Sequence, residues 1–577
     1  MGTPKGRRTD GGPRASAGPT RRTVLVTALA AGAGVAGTRI LGLRNLGASG
    51  AADGIDPMAA AAAGMDPLGR YGAATDGLDG AIPDDSFFGP QDLDGSILPE
   101  QPRPAETLPP VAPPRTLAAL QPPISGITPP RLSSDLDWAS PLASEPARVA
   151  QLLRRATLGY TEAELDRAIA DGYARTVDRL LETPFAEPPA FGLPPAATPR
   201  PSASAPARPS GSAAPTPAPS LVPLTINSQI NIGSLQTWWI DWMTRSPTPF
   251  AEKMTLFWHG HFTSDYRKVG TNSPAMYWQN LTWRRMALGD LKTMLVQVTQ
   301  DLAMLRYLDL AVSTGRAPNE NYARELMELF TLGVGSYTED DVKAAAKALA
   351  GWRLPMRTET GATTGIFDPK RAYAGTVTFL GKTGPFDTAA VIDQILTQDA
   401  TATFITRELV NAFVSPGASD AFVASLAGRF RRSRYDVRSL MRDIFMSAEL
   451  ASPDAYRALI KSPIELMVGT AKALGATNLS RTINGYAVNL GQNLFDPPSV
   501  AGWGEDTSWI SSNTMLQRAN FVSAVLGQMR TVPSAARAHE RHLDGVLGPG
   551  TVRELNSARD DRSRWFAVLA SPEFQLK

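Results

Sequence analysis

Hydrophobic side chains recur at helical spacing through most of the sequence after residue 135, and the helix starts there are well marked. Thr161 and Glu164 have the spacing of a capping box before the apolar positions Leu165 and Ile169. The run Ser462-Pro463-Ile464-Glu465 has the same spacing, with proline at the first helical position, where a backbone N–H is not needed. These patterns predict a mostly α, multi-helix globular domain.

Strand-like alternation of apolar and polar residues is rare in this chain. Its clearest example is residues 376–380, a Thr-Val-Thr-Phe-Leu run between Gly375 and Gly381, which predicts one arm of a short hairpin. No segment repeats at a fixed period. We therefore expect only minor β-hairpin content within the helical domain.

The densest group of charged positions lies on one predicted amphipathic helix. Glu320, Arg324, Glu325 and Glu328 share one face of this helix with Asn321, and apolar residues fill the opposite face. Such a face is typical of solvated i,i+4 ion pairs. It is also compatible with a catalytic cleft in which Arg324 holds the carboxylates and separates their pKa values for acid and base roles.

His259 and His261 end another segment with helical spacing. Two side chains at this spacing diverge on an intact helix, but we expect the helix to break at Gly260, which would let both imidazoles converge beside Asp265. His259, His261 and Asp265 are therefore the candidate ligands for a divalent metal, the one cofactor that the sequence brings into question. The competing interpretations are that both imidazoles are packed or hydrogen-bonded within the protein, or that they line a binding cleft without a metal.

A loop rich in proline and glycine carries Trp503, and Trp509 follows it closely. Indole rings in such a loop either stack on sugar rings or cap a helical core. Trp503 and Trp509 join Trp258, Asn319 and Asn321 as candidate binding residues. His539 and His542 occur among arginines, a pattern that predicts a solvated helix face.

Composition excludes several classes of protein. The 577 residues are 43% hydrophobic, which is enough for a large core and excludes a fully disordered protein. No uninterrupted apolar run is long enough to span a bilayer as a helix, which excludes a multi-span membrane protein. The absence of cysteine excludes disulfides and cysteine-ligated metals. A net charge of +2 gives no indication of nucleic-acid binding.

The N-terminal part of the chain differs from the rest. Arg21 and Arg22 precede an apolar stretch at 24–37, which resembles a twin-arginine export signal within a signal region at 1–50. A Pro/Ala/Gly-rich segment at 51–135 predicts a long disordered tether, and the helical domain would occupy 136–577 with a low-complexity insertion at 185–223. The signal predicts an exported, extracytoplasmic protein, secreted or associated with the cell wall, with no membrane span after signal removal.

Five sequence blocks, taken in order, resemble the bacterial family called domain of unknown function 1800. The blocks lie at 152–159, 253–262, 316–352, 461–465 and 497–509. The resemblance implies an exported bacterial protein, often with a twin-arginine signal, and a gene neighbour from the family domain of unknown function 1501, which looks like a sulfatase or alkaline-phosphatase relative. Members of the 1800 family often carry His where this chain has Gln151.

Two functional interpretations remain open. The first is a helical binding or assembly module of the cell envelope, which works with a 1501-type partner or an envelope polymer. The second is an extracytoplasmic hydrolase, with or without a divalent metal, whose site combines the carboxylate helix with the imidazoles of His259 and His261. The sequence does not decide whether the protein is an enzyme.

Overall fold

Helices make up most of residues 141–191 and 223–577, the part of the chain that the computed structural model describes. The predicted mostly α fold is confirmed, with 21 α-helices and two small antiparallel hairpins in these ranges. The predicted signal region at 1–50, the tether at 51–135 and most of the insertion at 185–223 lie outside the described residues.

The first eleven helices precede the hairpins in the chain. They are α1 (Glu145–Ala156), α2 (Glu162–Asp171), α3 (Tyr173–Glu182), α4 (Ile232–Arg245), α5 (Pro249–His261), α6 (Tyr266–Val269), α7 (Ala275–Met286), α8 (Leu291–Gln300), α9 (Leu302–Tyr307), α10 (Asn321–Glu328) and α11 (Glu339–Ala348). The remaining helices are α12 (Thr388–Leu396), α13 (Asp399–Phe413), α14 (Asp420–Arg432), α15 (Val437–Phe445), α16 (Pro463–Ala473), α17 (Ser480–Asn489), α18 (Ser512–Gln528), α19 (Ala538–Leu543), α20 (Pro549–Ser557) and α21 (Asp561–Leu569).

Two hairpins separate these groups of helices. Strand β3 (Val377–Phe379) pairs with β4 (Lys382–Gly384), which confirms the hairpin arm predicted at 376–380. Strand β1 (Trp352–Arg353) pairs with β2 (Ile366–Phe367). This second hairpin was not predicted, because strands of two residues are too short to show an alternating pattern.

Helix α16 lies at the centre of the core, since all eleven of its residues are buried. It begins with the predicted capping box: the Ser462 hydroxyl accepts from the Glu465 N–H, and the Glu465 carboxylate accepts from the Ser462 N–H at 2.8 Å. The capping box of Thr161 and Glu164 at the start of α2 is present as well. Sequence-encoded caps therefore fix the helix starts around which the core packs.

Helix α5 runs without interruption through Gly260 to His261, so the predicted break at Gly260 is wrong. A glycine in a helix costs only about 1 kcal/mol relative to alanine. Burial of Trp258 and Phe262, which flank Gly260, outweighs that cost, because each buried aromatic side chain stabilises the fold by more than a helical glycine destabilises it. Within the described ranges, no helix combines the length and the apolar character needed to cross a membrane.

Candidate functional site

A cavity of about 390 Å³ lies where α5, α13, the start of α16 and the tryptophan loop at 501–509 meet. Its volume falls within the range of about 300–1,000 Å³ that is usual for small-ligand sites. Both apolar and charged side chains line it. Those that matter for chemistry are Lys253, His261, Glu408, Asn411, Glu465, Trp503, Glu505, Asp506, Trp509 and Lys577.

The tryptophan loop packs against α5 through a close backbone contact. Gly502 has a φ of +81°, and a Cβ atom there would lie 2.3 Å from the carbonyl oxygen of Gly260. A hydrogen bond of 2.7 Å from the Thr263 hydroxyl to the Val500 carbonyl holds the same segment. Position 502 therefore requires glycine, and this contact places Trp503 at the cavity.

Three buried charged side chains form a cluster at the cavity. One carboxylate oxygen of Glu465 accepts hydrogen bonds from the ammonium groups of both Lys253 and Lys577, and all three residues are less than a tenth exposed. Burial, and then the neighbouring Lys577 ammonium, hold the pKa of Lys253 well below its ordinary value. Burial also lowers the pKa of Lys577. Because the two ammonium groups are buried, repel each other and share one ion-pair partner, this cluster favours the loss of a proton from one lysine.

Glu408 projects from α13 and lines the same cavity without a hydrogen bond or an ion pair to any described residue. Burial, and then the nearby carboxylate of Glu505, raise the pKa of Glu408 to about 7. A carboxyl group with this pKa can either donate or accept a hydrogen bond near neutral pH. Such a group is a candidate for ligand binding or for proton transfer.

Aromatic rings form an apolar wall beside these polar groups. Trp503 is partly buried and lies against the imidazole of His259, with 5.1 Å between ring centroids. Trp509 is 8% exposed and packs with Ile460 and Leu576 in a small cluster of its own. Phe404 also lines the cavity. The cavity therefore combines flat apolar surfaces with groups that donate and accept hydrogen bonds, as binding sites for amphipathic rings do.

A model of the family described as "Protein of unknown function (DUF1800)" matches residues 151–576, about three quarters of the 577-residue chain. The chain belongs to the DUF1800 family. The match includes every residue that lines the large cavity except Lys577. Comparison with curated proteins and with solved structures finds no match.

The two histidines of the DUF1800 block at 253–262 face different neighbours. His259 Nε2 accepts a hydrogen bond from the Phe495 N–H at 3.1 Å, and burial lowers its pKa to about 3. His261 Nε2 donates to the Phe330 carbonyl at 3.1 Å, and burial lowers its pKa to about 4. Both imidazoles are neutral at physiological pH, and they are held apart as an intact helix requires.

The candidate metal ligand Asp265 serves the protein backbone instead. Its carboxylate accepts from the Arg267 N–H at 2.8 Å and caps the start of α6. Among residues 141–191 and 223–577, no group of three or more histidine, aspartate or glutamate side chains is arranged to hold a metal ion. The contacts of His259, His261 and Asp265 thus give the predicted metal site no support.

The carboxylate helix α10 lies outside the large cavity, although the next residue, Leu329, lines it. Arg324 makes a two-pronged ion pair with Glu339 at 2.7 and 2.8 Å and reaches Glu320 at 3.4 Å. Glu328 accepts from the Tyr337 hydroxyl at 2.6 Å. Glu325 is partly buried, and this burial raises its pKa, as does Glu328. The structure therefore does not bring these four side chains and His261 together in one cavity.

Three of the candidate binding residues are engaged elsewhere. Trp258 is fully buried and donates from Nε1 to the Ala287 carbonyl at 3.0 Å. Asn319 accepts from the Asn321 N–H at 2.9 Å and forms a local turn. The Asn321 side chain donates to Asp309 at 3.2 Å. Of the five candidate binding residues, only Trp503 and Trp509 line the large cavity.

Two further positions have structural roles. Gln151, which stands where family members often carry histidine, is buried and donates to the Leu450 carbonyl at 2.7 Å. His542 was expected on a solvated face, and this expectation is wrong, because its imidazole is buried and stacks on Tyr160. The neighbouring Glu540 is the exposed residue of α19, and it pairs with Arg537 at 3.0 Å.

Sequence reasoning missed Glu408, Lys253 and Lys577 and recognised Glu465 only as a helix cap. One signal was available, since the chain has only 11 lysines and lysine is almost never fully buried without a specific role. Among the lysines that the structure describes, four are buried, namely Lys253, Lys461, Lys472 and Lys577. The scarce lysines would have been better candidates than the partly exposed carboxylates of Glu320, Glu325 and Glu328.

Proposed function

We propose that this DUF1800 protein is an exported bacterial protein whose helical domain binds a polyhydroxylated polymer of the cell envelope in the large cavity. The observation that carries the proposal is the Glu408 carboxyl group, which has no hydrogen-bond or ion-pair partner among the described residues and lines the same cavity as Trp503 and Trp509. A sugar ring has an apolar face that stacks on indole and hydroxyl groups that both donate and accept hydrogen bonds. The two kinds of group in the cavity match these two properties.

Co-sedimentation with the insoluble polymer fraction of a bacterial envelope tests this proposal on the full chain. We expect the unmodified protein to pellet with the polymer and Glu408→Gln together with Trp503→Ala to reduce the bound fraction strongly. Glu328→Gln is the matched control, because Glu328 bonds to Tyr337 outside the cavity. Equal pelleting of all variants, or no pelleting of the unmodified protein, would refute polymer binding at this cavity.

Export by the twin-arginine route is part of the same proposal. Its support is the Arg21-Arg22 pair before the apolar stretch at 24–37. Substituting both arginines by lysine keeps the charge and should leave the protein inside the cell. Secretion of the doubly substituted protein at the unmodified level would exclude this route.

We also propose a protein partner of the 1501 type, as the family resemblance implies. Near the β1–β2 hairpin, Val312, Met356 and Phe367 expose 67%, 57% and 41% of their surface. Exposed apolar side chains of this size support a protein contact. Affinity capture of the exported protein with a 1501-type protein, lost on Met356→Asp with Phe367→Asp, is the expected result. Failure to recover such a protein would refute the partner without affecting the polymer site.

Hydrolysis is a second candidate function, and the raised pKa of Glu408 beside Glu505 favours it. A protonated Glu408 would donate its proton to the leaving oxygen of a glycosidic bond, and a second carboxylate would activate water. The predicted alternative based on Glu320, Arg324, Glu325 and Glu328 with His259 and His261 has less support, because these side chains do not share the cavity. Hydrolysis is established if the unmodified protein releases sugar from the polymer while Glu408→Gln binds the polymer and releases none. It is excluded if the unmodified protein leaves the polymer intact.

A further inference from the structure

A second cavity, of about 20 Å³, shares two of its lining residues, Glu465 and Lys577, with the large cavity. Its volume suffices for one particle of about the size of a water molecule. The side chains of Arg154, Lys461 and His542 also line it. The cavity therefore lies where two of the five sequence blocks, 152–159 and 461–465, meet in space.

A glycine pair sets the position of this small cavity. Gly159 has a φ of +108°, and a Cβ atom there would lie 2.5 Å from the Cα atom of Gly469 in α16. Both glycines line the cavity. The chain that follows α1 can approach α16 so closely only because neither residue has a side chain. The spacing of the cavity walls is thus fixed by backbone packing.

Two polar groups at this cavity lack hydrogen-bond partners among residues 141–191 and 223–577. Arg154 uses its two terminal nitrogens on the Asp544 carboxylate, at 2.8 and 2.7 Å, but its Nε has no hydrogen-bond partner. His542 Nε2 has none either. Buried donors without partners are rare in proteins, because each costs about 1–3 kcal/mol. Two of them on the walls of one cavity point to a bound species that accepts hydrogen bonds.

Lys461 is a buried lysine among other cations. Burial, and then the guanidinium groups of Arg457 and Arg154, hold its pKa well below the ordinary value. It is 8% exposed, and no described carboxylate lies within ion-pair distance of its ammonium group. The ammonium lies 3.6 Å from the centre of the Phe574 ring, which offers only a weak negative surface. The nearby buried carboxylates are already shared, since Asp544 pairs with Arg154 and Arg457. A buried charge without a counter-ion is strongly unfavourable.

We propose that this small cavity binds a chloride ion through the Lys461 ammonium, Arg154 Nε and the protonated Nε2 of His542. The ion neutralises Lys461 and accepts the hydrogen bonds that the protein leaves unmade. A cavity with room for one water-sized particle favours a small monatomic halide over the larger phosphate, sulfate and carboxylate ligands. Because Glu465 and Lys577 line both cavities, the bound ion also supports the wall of the large cavity.

Thermal unfolding of the full chain tests the site directly. Chloride is titrated against gluconate at constant ionic strength, so that general screening stays unchanged. We expect a saturable rise in Tm with chloride and with bromide, because an ion that binds only the folded state stabilises it. Lys461→Met should remove this dependence. Lys472→Met is the matched control, since Lys472 is also buried but pairs with Glu164 at 2.9 Å, and it should keep the dependence.

Bromide anomalous scattering from crystals of the unmodified protein gives an independent measurement. A bromide peak between Lys461, Arg154 and His542 is the expected result, and it remains decisive even if the Lys461→Met variant does not fold. The proposal is overturned if the Tm of the unmodified protein does not respond to chloride, if Lys461→Met retains the response, or if the cavity contains only water in bromide-soaked crystals.

Discussion

The carboxylate of Glu465 and the ammonium of Lys253 form a buried ion pair in which the side chains are only 6% and 7% exposed. The same carboxylate completes the capping box that starts α16. Glu465 therefore connects the central helix of the fold to the wall of the large cavity. Its two roles, capping and charge neutralisation, can be separated by substitution.

Glu465→Gln should reduce the free energy of unfolding by about 3–5 kcal/mol, because it removes the buried carboxylate that Lys253 and Lys577 share as their ion-pair partner. Glutamine can still accept the capping hydrogen bond, so the loss of unfolding free energy measures the effect of removing the negative charge of Glu465. Urea unfolding at pH 7 measures it. Glu164→Gln is the matched control: it changes a capping-box glutamate that neutralises only Lys472 and is 35% exposed. We expect a clearly smaller loss there, and equal losses would contradict the role of Glu465.

Lys253 should make stability rise with pH. Burial lowers its pKa in the folded protein, so the unfolded chain binds more protons between that lowered value and the ordinary value near 10.5. The free energy of unfolding therefore increases as pH rises through this window. Lys253→Met should flatten the increase between pH 7 and pH 9.5, and Lys268→Met, at an exposed pair with Asp309, should not. If the free energy of unfolding of Lys253→Met rises with pH as steeply as that of the unmodified protein, burial does not disfavour the charged form of Lys253.

Glu408 should have the opposite effect at lower pH. Its folded-state pKa of about 7 lies above the ordinary value of 4.5, so the folded protein retains a proton that the unfolded chain releases. The contribution of Glu408 is therefore favourable below pH 4.5 and is lost as pH rises through 7. Glu408→Gln should be more stable, relative to the unmodified protein, at pH 7.5 than at pH 5. A stability difference that does not change with pH would refute the raised pKa.

Gly502→Ala should displace the tryptophan loop. The added Cβ would meet the Gly260 carbonyl oxygen at 2.3 Å, and the φ of +81° is unfavourable for alanine, so a loss of about 1–3 kcal/mol in stability is expected. Gly260→Ala lies on the other side of this contact, where an added Cβ meets nothing within 4 Å. It should be neutral or stabilising, because alanine favours helix α5. Equal effects of the two substitutions in urea unfolding would argue against the backbone contact.

The sequence predicted those features that depend on neighbours in the chain. The capping boxes at Thr161 and Ser462 and the hairpin arm at 376–380 follow from local hydrogen-bonding and alternation rules, and the structure contains all three. The continuation of α5 through Gly260 could not be read in this way, because long-range packing of the flanking aromatic residues decides it.

The charged residues of the site were harder to predict. The amphipathic pattern of α10 drew attention to Glu320, Arg324, Glu325 and Glu328. Charged side chains on one helix face have the same spacing in sequence whether they form structural ion pairs or a catalytic site. Glu408 and Lys577 belong to segments far apart in the chain, and only the fold shows that both line one cavity. Burial of charge, the property that marks these residues, depends on contacts that a single sequence does not reveal.

The central claim, polymer binding in the large cavity, is tested most directly by isothermal titration calorimetry of the full chain. The ligands are soluble oligosaccharides built from glucose, mannose and N-acetylglucosamine units, and the proteins are the unmodified chain, Trp503→Ala and the control Glu328→Gln. We predict saturable binding of at least one oligosaccharide to the unmodified chain and the same affinity for the control. The affinity of Trp503→Ala should be at least about tenfold lower, because the loss of about 1.4 kcal/mol of stacking energy corresponds to a tenfold change. Absence of binding, or equal affinity in Trp503→Ala and the unmodified protein, would contradict the account.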